Sequence, residues 1–185
     1  MKILLLGDSI TAGYGLDEAD SLPVQLQQRL TAEGLKVRVI NGGVSGDTMA
    51  QGQARLDWLL QDDPQIVVVA LGANDALRAL PPEQTAQALD TILGTLRQRG
   101  IATLLVGMKA PRNLGPLYAV QFDPVFPAAA KKYDVPFYPF LLEGVALRPE
   151  LNQEDGIHPN AAGIRRIVDG LAPLLQKMVR QMSLG

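Results

Sequence analysis

The chain alternates short aliphatic runs with longer stretches in which apolar positions recur every three or four residues. The runs lie at residues 3–6, 37–40, 66–71 and 101–106, with a weaker one at 135–138. Consecutive aliphatic side chains read as strands buried on both faces, since a half-exposed strand alternates apolar with polar. The stretches between them read as helices. Ser21 is expected to cap a segment in which Leu22, Leu26 and Leu30 fall four residues apart, and Gly34 closes it. Residues 51–61 continue in the same manner, with Trp58 and Leu59 expected to face the core. Pro81, Pro82 and Glu83 open a long helix carrying Leu89, Ile92, Leu93 and Leu96, and Gly100 ends it. After Asn160, a natural helix cap, Ile164, Ile167, Val168 and Leu171 recur at helical spacing. Strands alternating with helices predict an α/β fold, a parallel sheet covered on both faces. No repeat, low-complexity tract or linker interrupts the pattern, so residues 1–185 are expected to form one domain.

Composition narrows the function. With 185 residues, 47% of them hydrophobic and 19% charged, the chain can bury an ordinary globular core. A net charge of −2 gives no electrostatic footprint for nucleic acid. No apolar stretch reaches membrane-spanning length, so stable membrane insertion is not expected. The start resembles a signal peptide but runs too soon into Gly7 and Asp8. The chain as it stands reads as cytoplasmic, and as periplasmic or secreted if a leader has been removed. A monomer is the default expectation. The absence of cysteine excludes disulfides, thiol nucleophiles and thiolate-bound metals. His158 is the only histidine, so a multi-histidine metal site is impossible and all imidazole chemistry falls to one side chain. Neither a metal nor a cofactor is expected.

Four short stretches could carry chemistry. Ser9 follows the first strand in "LLLGDSITAG", at the edge where open α/β sheets bind ligands. It could be a nucleophile, an anion-binding hydroxyl or a helix cap, and Asp8 a turn or cap residue. Gly46 in "NGGVSGDT" offers an unobstructed N–H near a helix start, or simply completes a turn. Asn74 in "LGAND" offers a side-chain N–H to an oxyanion, or ends the strand. In "DGIHPN", one turn of chain lets the Asp155 carboxylate reach one imidazole nitrogen of His158, leaving the other free as a base. The plainer reading is a surface histidine ahead of a helix. Together the four supply what acyl transfer requires: a hydroxyl, a base, an orienting carboxylate and oxyanion donors. Neither the Gly-x-Ser-x-Gly elbow nor a dinucleotide-binding Gly-x-Gly-x-x-Gly loop is present.

In order and spacing these blocks resemble the SGNH (GDSL) hydrolases: "GDSITAG", Gly46 in "SGDT", "GAND" and "DGIHPN". The likeness runs over nearly the whole chain. Within the family, "NGGVSGDT", "ARL", "LGAND-LR" and "DVPFYPF" are most similar to the bacterial multifunctional thioesterase/lysophospholipase/arylesterase group. Ala73 departs from the glycine common there. The resemblance implies a three-layer α/β/α sandwich with a five-stranded parallel sheet in flavodoxin-like order. It also implies a Ser9–His158–Asp155 triad, oxyanion donors from Ser9, Gly46 and Asn74, and a small-molecule acyl ester or thioester as substrate. The group's segment after the third block is a mobile substrate loop. Leu77, Leu80, Leu114 and Tyr118, apolar residues in segments of loop composition, are therefore expected to line the acyl site. Residues 107–123 are expected to form a functional loop. Two rivals stand beside this reading: a carbohydrate O-deacetylase on the same fold, and a non-catalytic flavodoxin-like binding module.

Overall fold

The computed structural model describes residues 1–184. Five parallel strands, β1 (Lys2–Gly7), β2 (Arg38–Gly43), β3 (Ile66–Ala70), β4 (Ala102–Val106) and β5 (Phe137–Tyr138), lie in the order β2-β1-β3-β4-β5. This is the flavodoxin-like order. The two central strands are the two strongest aliphatic runs: Ile3–Leu6 and Ile66–Ala70 are at most 3% exposed. Burial on both faces is what a run without polar alternation demands. At the open edge, the Val39 N–H of β2 is taken by the Gln27 side-chain oxygen at 2.8 Å, which blunts the edge against further pairing.

Strand order also sets the layers. Crossovers between parallel strands are right-handed. The step from β1 to β2 therefore places α2 (Leu22–Ala32) on one face. The return through β3, β4 and β5 places α3 (Met49–Ala54), α6 (Pro82–Gln98) and α8 (Val125–Tyr133) on the other. The final helix α9 (Ala161–Ser183) packs beside α2, and α6 packs against both α3 and α8. No helix among the described residues is long and apolar enough to cross a membrane.

Three local expectations need correction. Residues 51–61 are not one helix: α3 ends, Arg55 leaves helical geometry (φ −105°, ψ 3°), and α4 (Leu56–Leu59) begins anew. The changed phase buries Leu56 and Leu59 and leaves Trp58 69% exposed, not in the core. Residues 107–123 are not all loop, because Pro116 opens α7 (Pro116–Phe122), with Phe122 buried beneath it. Ser21 heads α2 as expected, but its hydroxyl donates back to the Glu18 carbonyl (2.7 Å) and does not cap the helix.

The sheet register prepares the site. Gly7 stands level with Gly43 of β2 and with Ala70 of β3. The three segments leaving these strand ends therefore start side by side, at the point where the chain turns from one side of β1 to the other. Such a switch point opens a crevice.

Candidate active site

Ser9 is the first residue of α1 (Ser9–Ala12), and Asp8 caps that helix by accepting the Ile10 N–H at 3.1 Å. The Ser9 N–H has no acceptor among the described residues. Its Oγ lies 2.9 Å from Nε2 of His158. The histidine is aimed by its own loop. One oxygen of Asp155 accepts the N–H groups of Ile157 (2.9 Å) and His158 (3.0 Å), and the other meets His158 Nδ1 at 2.5 Å. The His158 side-chain contact, reinforced by these two backbone N–H groups, pushes the Asp155 carboxyl down to about 2. An ionised carboxylate only accepts, so Nδ1 carries a proton toward Asp155, and in the neutral imidazole Nε2 is then the acceptor facing Ser9.

Gly46 sits in the turn closed by the Asp47 N–H on the Val44 carbonyl (3.1 Å), with φ +86°, where a side chain would be strained. Its N–H, like that of Ser9, has no acceptor among the described residues. Gly72, at φ +113°, turns the chain from β3 into α5 (Ala73–Leu77). Asn74 therefore lies in the first turn of a short helix and does not end the strand. Its Nδ2 donates to the Asp47 carbonyl at 3.0 Å and lies 3.4 Å from Asp8 Oδ2. The second contact is longer than an ordinary N–H···O bond, so one N–H of the amide is firmly held and the other only weakly. Asn74 thus touches the sequence neighbour of Gly46 and the sequence neighbour of Ser9.

Beside this cluster lies a cleft of about 260 Å³. Leu77 lines it, together with Met108, Phe140, Leu142, Leu147 and Ile157. Leu80, Leu114 and Tyr118 do not belong to the lining. The Tyr118 hydroxyl donates to the Leu80 carbonyl (2.8 Å) and its ring stacks on Phe122, so Tyr118 and Leu80 tie α7 to the segment after α5. A larger cavity, about 410 Å³, lies between Leu93, Arg97, Tyr133 and Met178, but no nucleophile and base meet there.

Residues 5–166 match the GDSL-like lipase/acylhydrolase family. The chain belongs to this family. It is an ester-hydrolysing enzyme. Over 182 residues it is 41% identical to thioesterase 1/protease 1/lysophospholipase L1 of Escherichia coli K12, covering 98% of this chain and 86% of that protein. The crystal structure of TesA superposes with a TM-score of 0.91 at 40% identity, covering 96% of this chain and 99% of that one. The psychrotrophic esterase EstA from Pseudoalteromonas sp., solved as inhibited by monoethylphosphonate, gives a TM-score of 0.90 at 30% identity, covering 97% and 98% of the two chains.

Several residues of this GDSL hydrolase touch the site without having been singled out from sequence. The Gln153 N–H donates to the His158 carbonyl (2.8 Å), and its side-chain amide donates to the carbonyls of Tyr14 (2.8 Å) and Pro159 (3.0 Å). The Tyr14 ring lies 4.5 Å from the imidazole, centroid to centroid. Gln153 so joins the serine loop to the histidine loop. A lone glutamine in a polar loop carries no sequence signal for such a bridge.

Asp8 is the most perturbed of these neighbours. Burial raises its carboxyl from 3.8 to about 6, against the opposing pull of the Ile10 N–H and of His158. The native state thus holds this proton more tightly than the unfolded chain does. Stability is unaffected below 3.8, falls as pH rises toward 6, and carries the full penalty above it, about 3 kcal/mol. Asp8→Asn keeps an oxygen for the Ile10 N–H and cannot ionise. Its stability relative to wild type, from urea unfolding at a series of pH values, is expected to climb by about 3 kcal/mol between pH ~4 and ~7. A difference that stays flat with pH would show that Asp8 is not held in this way.

Proposed function

We propose that the enzyme hydrolyses carboxylic esters with aryl or short- to medium-chain acyl groups, and acyl thioesters and lysophospholipids by the same chemistry. The observation that carries this reading is the unbroken line Ser9 Oγ–His158–Asp155, at 2.9 and 2.5 Å, opening on an apolar cleft. Ser9 Oγ attacks the acyl carbon while its proton passes to His158 Nε2. The carbonyl oxygen becomes an oxyanion facing the N–H groups of Ser9 and Gly46 and the weakly held N–H of Asn74. Collapse breaks the bond to the alcohol or thiol, which takes the proton from His158. Water then attacks the acyl–serine ester, again losing its proton to His158; the bond to Ser9 Oγ breaks, Oγ takes that proton back, and the acid leaves with serine and histidine restored. Asp155 stays ionised throughout and stabilises the imidazolium. The cleft volume lies below the ~300–1,000 Å³ of drug-sized pockets, which suits a short or medium acyl group. The names of the relatives support the substrate class.

The test is a panel of nitrophenyl esters, acyl-CoA thioesters and acetylated sugars offered to the purified enzyme. Nitrophenyl esters of short to medium chain are expected to be turned over fastest. Turnover confined to acetylated sugars would overturn this reading in favour of deacetylation, and no turnover on any member of the panel would overturn the substrate class. Within the panel, Leu77→Asp is expected to lower the octanoyl-to-acetyl ratio of kcat/KM roughly tenfold. That corresponds to losing between one and two buried methylenes at about 0.8 kcal/mol each. Leu114→Asp, outside the cleft, should leave the ratio unchanged. Equal shifts from both variants would detach chain-length preference from the cleft.

A further inference from the structure

The three N–H groups assigned to the oxyanion hole come from three separate segments, so their common aim depends on what ties those segments together. One side chain bridges two of the segments directly and reaches the third through Asp47. Arg55, at the break between α3 and α4, donates from Nε to Asp47 Oδ2 at 2.6 Å and from Nη2 to the Gly7 carbonyl at 2.9 Å. Gly7 precedes Ser9 by two residues, and Asp47 directly follows Gly46. The Asp47 carbonyl in turn receives the Asn74 side-chain N–H at 3.0 Å. Arg78, which follows α5, also ties the Asn74 segment to the Gly46 turn by donating to the Gly46 carbonyl at 2.7 Å, but it is exposed and does not reach the end of β1.

The setting of Arg55 is unusual for this chain. Its side chain and that of Asp47 are 20% and 10% exposed. In every other Arg or Lys ion pair among the described residues both side chains are at least 38% exposed. Burying an ion pair adds little net stability, because desolvation offsets the attraction. What a guanidinium does add is geometry: a planar fork whose N–H groups hold two acceptors at a fixed angle, which lysine cannot reproduce. We propose that Arg55 is a positioning residue for the oxyanion hole, fixing the Gly46 turn, and through the Asp47 carbonyl Asn74, against the end of β1. The proposal rests on the assignment of Ser9, Gly46 and Asn74 as the oxyanion donors.

The experiment compares wild type, Arg55→Met, Arg55→Lys, Asn74→Ala and Arg55→Met/Asn74→Ala on one short nitrophenyl ester, with active sites counted by phosphonate titration. It also measures inhibition by an alkylboronic acid, which becomes tetrahedral on a serine oxygen and places a B–O group where the oxyanion forms. Misplacement of reacting groups by about 1 Å costs up to ~10²-fold. Arg55→Met is therefore expected to lower kcat per intact site by about 10- to 100-fold, with KM within about twofold, and to weaken boronate inhibition by the same factor. Arg55→Lys keeps the charge and loses the fork, so a loss of about tenfold is expected. It decides the matter if Arg55→Met, which strands the Asp47 carboxylate, does not fold. Because Arg55 acts partly through Asn74, the double variant should lose less than the product of the single losses. Full kcat per intact site in Arg55→Lys, a loss confined to KM or melting temperature, or multiplicative losses in the double variant would overturn the proposal. Asn74→Ala with unchanged kcat and unchanged boronate affinity would instead overturn the oxyanion assignment beneath it.

Discussion

Replacing Ser9 by alanine is expected to lower kcat by roughly 10⁶-fold, the size of loss seen when a triad nucleophile is removed. The fold should survive. The Ser9 hydroxyl makes one protein hydrogen bond, to His158 Nε2, and the residue sits half-buried at the rim outside the core. Losing such a bond costs about 1 kcal/mol, small beside the 5–15 kcal/mol typical of a folded domain. The backbone N–H at position 9 and the Asp8 cap remain, so the variant keeps the donors and the cleft. Residual catalysis of about 10³–10⁴ over water is therefore expected from binding and the oxyanion donors alone. Single-turnover kinetics and thermal melting of the same preparation check both halves. A variant that melts like wild type and retains more than about a hundredth of its turnover would remove Ser9 from the chemistry.

Asn74→Ala should produce the next largest loss, on the order of 10²–10³ in kcat, with KM nearly unchanged. The amide is anchored: α5 carries it directly after buried β3, and the Asp47 carbonyl holds one N–H at 3.0 Å. A donor fixed in that way favours an oxygen that has gained charge far more than the neutral carbonyl of bound substrate. The loss therefore falls on the transition state. Truncation also leaves the Asp47 carbonyl without this partner, so a destabilisation of about 1 kcal/mol is expected alongside. Steady-state kinetics on a short nitrophenyl ester separates the terms. A raised KM with kcat intact would make Asn74 a substrate-holding residue and withdraw it from the oxyanion hole.

Sequence and structure agree where local pattern decides the outcome. Residues 3–6 and 66–70 are too uniformly aliphatic to be anything but central strands, and their parallel pairing brings Ser9, Gly46 and Asn74 to one rim. The meeting of Asp155 with His158 was legible for the same reason, because a single turn of chain makes it. Disagreement begins where distant segments decide. Trp58 faces outward because the helix breaks at Arg55, and that break accompanies contacts to Gly7 and Asp47 that no helical periodicity contains. The cleft takes Met108, Phe140, Leu147 and Ile157 from loops far apart in the chain, whereas Tyr118 and Leu80 bond to each other. Apolar residues in loop-like segments announce burial but not against what. Asp8 reads as an ordinary cap until its burial is known, and burial is what raises its carboxyl to about 6.

The central claim is that Ser9, activated by His158, forms the covalent acyl intermediate. It is tested most directly by treating the enzyme with an activated organophosphate and mapping the adduct by mass spectrometry after proteolysis. The account predicts one phosphoryl group per chain, on Ser9, accumulating in step with loss of esterase activity. It predicts no adduct in Ser9→Ala and a much slower one in His158→Ala. An adduct on another residue that tracks the loss of activity, or full activity with Ser9 modified, would contradict it.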